Sequence, residues 1–143
     1  MRIMALDVGT KRIGVAMSDE LFLTAQGSDT IYRISLDADL AKIKKVAEDN
    51  GVGEIVLGLP INMNGTHGPK AKEIVEFMDN LTKVVTLPVH TWDERLTTVQ
   101  AQNVLLEADV SRAKRKKSID RIAAQFILQS YLDSRKERLK KDV

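Results

Sequence analysis

An acidic residue, Asp7, interrupts the apolar run 3–8 near the start of the sequence. A continuous apolar run bounded by turn residues is typical of a strand that is buried on both faces. Burying a carboxylate in such a strand is costly unless a cation or a hydrogen-bond donor meets it. Asp7 is therefore the first candidate for chemistry. The alternative is a simple hairpin in which Asp7 caps its own turn.

The residues that follow the first strand form a turn that could hold a phosphate. Gly9 and Gly14 allow close backbone approach or a positive φ. Between them, Thr10, Lys11 and Arg12 lie at the tip of a predicted hairpin and supply one hydroxyl and two cations. Side chains of these types bind the backbone of nucleic acids.

Three further acids occur where the predicted elements begin or end. Asp93 and Glu94 follow the last predicted strand, and Asp120 lies at the predicted start of the last helix. If that helix crosses the sheet, these acids can converge with Asp7 at one end of the molecule. Converging carboxylates repel one another unless divalent cations lie among them, and hard oxygen ligands suit Mg²⁺ or Mn²⁺. Two such ions can activate water and stabilise the leaving oxygen in phosphodiester hydrolysis. The alternative for Asp120 is a carboxylate that favours a helix N-terminus.

The hydrophobic pattern predicts an α/β order with helices on both faces of a sheet. Ser35 is a candidate N-cap, Asn50 and Gly51 end the same helix, and Pro69 fits the first turn of the next helix. A further helix is expected from Thr97 or Thr98 to residue 108, then a loop over 107–117, and a last helix from about residue 118. The predicted strands cover residues 2–8, 12–18, 30–34, 54–60 and 84–91, and a loop is expected over 19–27.

Length and composition predict one domain over residues 1–143, with 43% hydrophobic and 29% charged residues. The absence of cysteine excludes disulfides and thiolate metal sites. The first residues lack the pattern of a secretory leader, and the apolar runs are too short to span a membrane. We therefore expect a soluble cytoplasmic protein without a membrane partner, either a monomer or a weak homodimer.

The net charge is only +2, but the cations are clustered. Five of them fall within six positions in front of Asp120, and another five lie within residues 135–141. Basic clusters of this kind suit phosphates, so the first cluster is a candidate nucleic-acid contact. The alternative is a solvated loop followed later by a basic helix end. The first cluster, called the basic cluster below, consists of Arg112, Lys114, Arg115, Lys116 and Lys117.

Four segments, in this order and spacing, resemble the YqgF family, also called RuvX, of Holliday junction resolvase-like proteins in the ribonuclease H-like superfamily. The resemblance covers essentially the whole chain. It implies a ribonuclease H-like fold with a five-stranded mixed sheet and helices on both faces. The segments are 6–16 (LDVGTKRIGVA), Gly58-Leu59-Pro60 with Asn62 and Gly65-Thr66, 93–98 (DERLTT), and 117–120 (KSID) followed by Ala123-Ala124.

The resemblance implies a metal-dependent nuclease with Asp7, Glu94 and Asp120 as catalytic acids and ligands of Mg²⁺ or Mn²⁺. Asp93 is a further candidate ligand. Related resolvases carry an acid just after the fourth strand, where this chain has Asn62, so Glu94 is taken as its replacement from a neighbouring strand. Asn62 and Arg95 are expected to join the basic residues in binding nucleic acid. The family is associated with trimming the precursor of small-subunit ribosomal RNA, and was earlier proposed to cut four-way DNA junctions.

Other functions stay open at this point. A nuclease acting on structured RNA, one acting on branched DNA, and a noncatalytic nucleic-acid-binding protein all suit these residues. The segment Asp7-x-Gly9-Thr10 also resembles the phosphate loop of sugar kinases and actin-like ATPases, but those proteins need two lobes and a longer chain. His67 and His90 are too isolated to suggest a metal site, and Trp92 suits packing better than base stacking.

Overall fold

The computed structural model describes the backbone of residues 1–96 and 112–141, with side chains at 1–95 and 122–137. Three helices and six strands make up the described residues, together with a short 3₁₀ turn at Glu94–Leu96. The strands are β1 (Arg2–Val8), β2 (Arg12–Ser18), β3 (Ala25–Gly27), β4 (Ile31–Tyr32), β5 (Val52–Leu59) and β6 (Val89–Asp93). The helices are α1 (Leu36–Asp49), α2 (Pro69–Thr82) and α3 (Arg112–Lys141).

The strands form one mixed sheet in the order β3-β2-β1-β5-β6, with β4 also paired to β2. β1 runs antiparallel to β2 and parallel to β5, and β5 runs parallel to β6. The carboxyl ends of β1, β5 and β6 therefore lie along the same edge of the sheet. The predicted mixed α/β sheet is confirmed, although it contains six strands rather than five.

Helices cover both faces of this sheet. Met4, Leu6 and Val8 belong to the apolar core shared with α1 and α2. Ile3 and Ala5 belong to a second core, which α3 covers. Because successive side chains of a strand point to opposite faces, Asp7 lies on the face that α3 covers.

The local signals that begin and end the first two helices are confirmed. The Ser35 hydroxyl accepts a hydrogen bond from the Ala38 N–H at 3.2 Å and caps α1. Asn50 is the C-cap of α1, and Gly51 follows with a φ of 65°. Pro69 is the first residue of α2, as its fixed φ favours.

Two edge strands differ from the prediction. The expected third strand, 30–34, is reduced to the two residues of β4, and β3 lies within the predicted loop 19–27. The Ala25 N–H donates to Gln129 Oε1 at 3.1 Å, and Gln125 Nε2 donates to the Ala25 carbonyl at 3.0 Å. Side chains from α3 therefore fix β3, and a contact between residues about a hundred positions apart leaves no local pattern in the sequence.

The last strand is also displaced from its prediction. The expected strand 84–91 is wrong in its first half, because the N–H groups of Val84 and Val85 donate to the Leu81 carbonyl and continue the end of α2. Val85 is buried without belonging to a strand. The ladder begins only at Val89, one residue after Pro88, whose carbonyl accepts from the Ile55 N–H at 3.0 Å.

Helix α3 begins earlier than expected. The prediction of a loop over 107–117 and a helix from about residue 118 is wrong for residues 112–117, which lie in the first turns of α3. The predicted helix from Thr97 or Thr98 to residue 108, and residues 107–111 of the predicted loop, lie outside the described residues. Within the described ranges, no helix is both long and apolar enough to cross a membrane.

Candidate active site

Asp7 and Glu94 lie on the same face of the sheet, at the edge where β1, β5 and β6 end. Asp7 is half-buried near the end of β1, and Glu94 begins the 3₁₀ turn after β6. Between these strands lies Gly58 of β5, where an added Cβ would meet Glu94 Oε1 at 2.7 Å and would also overlap Ile127. The Glu94 carboxylate therefore lies over the bare backbone of Gly58, in space that any larger residue would fill.

The electrostatic surroundings of Glu94 hold back its ionisation. Burial and the negative charge of Asp7 raise the pKa of Glu94 to about 7, with a smaller contribution from Asp93. The Lys70 ammonium group acts in the opposite direction and lowers this pKa. A carboxyl that is half-protonated near neutral pH beside a second acid is a common feature of functional sites. Lys70, at the start of α2, was not among the predicted site residues.

Asp93, in contrast, is engaged by Arg95. Arg95 Nη2 donates to Asp93 Oδ2 at 2.8 Å, and the Arg95 N–H donates to Asp93 Oδ1 at 2.9 Å. These contacts with Arg95 lower the pKa of Asp93. Asp93 is the last residue of β6, directly before Glu94, and it pairs with Leu59 of β5. Its neighbour Trp92 packs against the core that α3 covers. The pair with Arg95 therefore fixes the turn that presents Glu94.

Arg95 also connects this turn to the loop after β5. Arg95 Nη1 donates to the Asn62 carbonyl at 3.3 Å. The Asn62 side chain in turn donates to Thr66 Oγ1 at 3.1 Å, and the Asn62 N–H donates to the Thr66 carbonyl at 3.0 Å. Asn62 and Arg95, two predicted nucleic-acid contacts, are thus neighbours on the exposed surface beside Glu94.

The backbone position of Asp120 changes the choice between its two interpretations. Asp120 lies eight residues after the first residue of α3, and so within the helix rather than in its first turn. The interpretation as an N-terminal helix carboxylate is therefore wrong. Its side chain lies outside the described residues. Ala124 and Ile127, about one and two turns later, are buried against the sheet.

The donor set of the described pair fits a hard divalent cation. Asp7 and Glu94 offer carboxylate oxygens, which Mg²⁺ and Mn²⁺ prefer, and their mutual repulsion falls when a cation lies between them. Among the described side chains, no group of three metal-ligating residues occurs. The third predicted acid, Asp120, is not among those side chains.

The turn after β1 is held by close backbone approach. The Gly9 N–H donates to the Arg12 carbonyl at 2.8 Å, and a Cβ on Gly9 would lie 2.7 Å from the same oxygen. Glycine is needed here for space and not for a positive φ, which Gly9 does not have. Thr10, Lys11 and Arg12 are exposed at the tip, as predicted.

A partly buried ion pair between Arg33 and Asp39, which the sequence did not predict, holds this turn. Arg33 Nη1 donates to the Gly9 carbonyl at 2.9 Å, and Arg33 Nε donates to Asp39 Oδ2 at 3.0 Å. Asp39 is only 2% exposed, and its other oxygen accepts from the Ile34 N–H at 2.9 Å. The available signal was the position of Asp39 on the apolar face of α1, one turn before Ile43.

Comparison with known proteins identifies the family. A family model described as "RuvX: Holliday junction resolvase" matches residues 1–134. The chain belongs to the RuvX family. A relative from Moorella thermoacetica is 59% identical over 133 residues, which cover 93% of this chain and 95% of the relative. A relative from Symbiobacterium thermophilum is 56% identical over 138 residues, which cover 96% of both chains. Both relatives carry the name "Putative pre-16S rRNA nuclease".

Solved structures show the same fold at low sequence identity. The RuvC of T. thermophilus, in complex with a Holliday junction substrate, superposes with a TM-score of 0.62 at 12% identity, covering 94% of this chain and 95% of RuvC. The fowlpox virus resolvase with Holliday junction DNA gives a TM-score of 0.54 at 16% identity, covering 94% and 98% of the two chains. The predicted ribonuclease H-like fold is confirmed.

Membership of the RuvX family decides between some of the interpretations left open by the sequence. The kinase-like interpretation of Asp7-x-Gly9-Thr10 is wrong, because the matched family is a nuclease family. Trp92 packs, as expected, since its ring meets the Tyr131 ring edge-on at 5.6 Å between centroids and its Nε1 donates to Ser130 Oγ at 3.1 Å.

The basic cluster of this RuvX protein lies in the first two turns of α3, three residues or more before Asp120.

Proposed function

We propose that this RuvX protein is a metal-dependent nuclease that hydrolyses phosphodiester bonds in structured nucleic acid. The observation that carries the proposal is the pair of acids, Asp7 and Glu94, held on one face at the carboxyl edge of the sheet. The favoured substrate is the precursor of 16S rRNA, trimmed at its 5′ end in the cytoplasm. This choice is supported by relatives that are more than half identical and carry the name of a pre-16S rRNA nuclease.

The acids of the site have a shared task in this proposal. Asp7, Glu94 and Asp120 would hold Mg²⁺ or Mn²⁺, and the bound ion would supply charge stabilisation and an activated water for in-line attack on the phosphate. Glu94 must lose its proton to act as a ligand, and Lys70 favours that loss by lowering its pKa. The contact between Asp93 and Arg95 fixes the turn that carries Glu94, which makes Asp93 a positioning residue first.

The cations nearby would hold the substrate backbone. The exposed Thr10, Lys11 and Arg12 lie on the turn that directly follows the strand of Asp7. The basic cluster supplies five more charges from the first turns of α3, and Asn62 and Arg95 lie on the other side of Glu94. Contacts to phosphate position a strand without reading its sequence, as a nuclease that recognises structure requires.

Branched DNA is the alternative substrate for the same chemistry. It is favoured by the description of the family as a Holliday junction resolvase. A noncatalytic nucleic-acid-binding protein is a third candidate, and it would bind equally well without the acids.

A cleavage assay that offers precursor rRNA and a four-way DNA junction, each with Mg²⁺ or Mn²⁺, tests the proposal. We expect the parent to cut the rRNA precursor near its mature 5′ end, and we expect Asp7→Asn and Glu94→Gln to bind the precursor without cutting it. Glu20→Gln removes an exposed acid from a loop remote from the site and should cut like the parent. A parent that binds both substrates and cuts neither would assign the protein to the noncatalytic class.

A further inference from the structure

Two bulky apolar side chains are largely exposed near the candidate active site. Tyr32, in the edge strand β4, is 71% exposed, and Ile34 is 87% exposed. Aromatic residues make up only 4% of the chain, and Tyr32 is the most exposed of those that the structure describes. Tyrosine is enriched at interfaces, because its ring is apolar and its hydroxyl can stay hydrated.

The register of the sheet places Tyr32 on the same face as Asp7. Ile31 belongs to the core under α1 and α2, so its neighbour Tyr32 points to the opposite face, where Asp7 lies. Tyr32 is paired with Arg12 on β2, and Asp7 is paired with Gly14 two residues further along β2. Two strand spacings and two residues along the strand separate the Cα atoms of Tyr32 and Asp7 by about 12 Å.

The backbone next to Tyr32 is fixed to the turn that carries the exposed cations. The Arg33 N–H donates to the Lys11 carbonyl at 2.9 Å, and the Arg33 side chain donates to the Gly9 carbonyl at 2.9 Å. Tyr32 and the turn therefore keep their relative positions when substrate arrives, so little ordering is needed on binding.

The combination of an exposed ring and adjacent cations matches one ligand chemistry, a nucleotide with an unpaired base. Lys11 and Arg12 are exposed and can hold phosphates, while the ring of Tyr32 offers a flat surface on which a base can stack. An apolar protein partner would not need the two cations, and a duplex would hide its base faces. The cations and the exposed ring together therefore favour a single-stranded segment of nucleic acid.

We propose that Tyr32 is a stacking platform for an unpaired base of the substrate, within a few nucleotides of the phosphate that lies at Asp7 and Glu94. The proposal rests on the proposed function and adds a substrate feature to it. The preferred substrates would be those that present a single-stranded stretch next to the cleavage site. Paired ends and continuous duplexes would bind without this contact.

The test measures the affinity of the full chain for RNA in which 2-aminopurine replaces a base near the cleavage site, over a series of salt concentrations. We expect Tyr32→Ala to weaken binding about tenfold and to abolish stacking-dependent quenching of the fluorescent base. Tyr32→Phe keeps the ring and should stay within about twofold of the parent. The slope of affinity against salt should be unchanged in Tyr32→Ala and flatter in Lys11→Ala, because only lysine neutralises a phosphate.

Ile34→Ala is the matched control, because it removes an even more exposed apolar side chain two residues away. It should bind like the parent. Undiminished affinity or quenching in Tyr32→Ala, or an equal loss in Tyr32→Phe, would overturn the platform. Because Tyr32 is exposed, each variant should have the melting temperature of the parent, which a thermal melt of each variant checks.

The outcomes also separate this proposal from the nuclease. A parent that cuts, together with a Tyr32→Ala variant that binds equally well, would leave the nuclease standing and reject the platform. A parent that needs Tyr32 for binding but cuts nothing would reject the nuclease and leave the platform standing. A parent that neither binds nor cuts would overturn both.

Discussion

The position of one carboxylate, that of Glu94, depends on the absence of a side chain at Gly58. A methyl group at Gly58 would lie 2.7 Å from Glu94 Oε1 and would overlap Ile127. We expect Gly58→Ala to fold but to displace Glu94. A displacement of about 1 Å in a catalytic group can reduce the rate by about a hundredfold, and this is the loss we expect in kcat.

Gly53→Ala is the matched control for this prediction, because Gly53 lies in the same strand. The three atoms nearest to a Cβ there all belong to the Met1 side chain, which is flexible and can move aside. Full activity in Gly58→Ala, with a parent-like crystal structure, would show that the position of Glu94 does not limit catalysis.

The raised pKa of Glu94 predicts how the stability of the metal-free protein depends on pH. The folded-state pKa of about 7 is above the unfolded value of 4.5, so the folded state keeps a proton that the unfolded state has lost. Stability should therefore fall as pH rises from about 4.5 to 7, and the loss should be complete above that range. In EDTA, Glu94→Gln should have the same melting temperature as the parent near pH 4 and a higher melting temperature than the parent near pH 8. Equal melting temperatures at both pH values would contradict the burial of Glu94 beside Asp7.

Among the elements, the turn after β1 is held by the ion pair of Arg33 with Asp39. Asp39 is 2% exposed and would be left without its charged partner in Arg33→Met. Leaving a buried carboxylate without its cation costs about 3 kcal/mol or more, and we expect urea unfolding to show a loss of this size. Lys70→Met breaks an exposed pair with Glu73 and should change stability by less than about 1 kcal/mol. Equal, small effects of both substitutions would show that the Arg33 pair does not hold the turn.

The first turns of α3 carry the basic cluster and no acid. Cations near a helix N-terminus are unfavourable by a few tenths of a kcal/mol each, and bound phosphates would offset this cost. Arg115→Ala and Lys116→Ala should each flatten the log-log salt dependence of binding by about 0.9 on duplex DNA, and by about 0.7 on single strands. Measurements on two unrelated sequences should agree. An unchanged slope would assign the cluster to surface that nucleic acid does not touch.

Elements with strong local signals could be predicted from the sequence, and those fixed by distant contacts could not. Ser35, Pro69 and Gly51 determine where α1 and α2 begin or end through their own backbone preferences. β3, in contrast, depends on Gln125 and Gln129 of α3, and Val84 and Val85 bond back to Leu81 instead of joining a strand. In the candidate site, acids at strand ends could be predicted because such residues interrupt apolar runs. Lys70 and Arg33 could not, because exposed or loop cations have no distinctive pattern.

At the scale of the whole molecule, the mixed sheet brings the ends of β1, β5 and β6 to one edge and so brings Asp7 and Glu94 to one face. The resolvase fold accounts for this placement, since residues 1–134 match the RuvX family. The single domain over 1–143 and the monomeric or weakly dimeric state stay predictions.

A calorimetric titration with Mn²⁺ tests the shared metal site most directly. We predict that the parent binds Mn²⁺ and that Asp7→Asn, Glu94→Gln and Asp120→Asn each weaken binding, while Glu20→Gln does not. Asp120→Asn should also melt higher than the parent without metal, because it removes like charge, and should gain less stability from added Mn²⁺. Asp7→Asn and Asp120→Asn variants that bind Mn²⁺ as tightly as the parent would contradict the shared site.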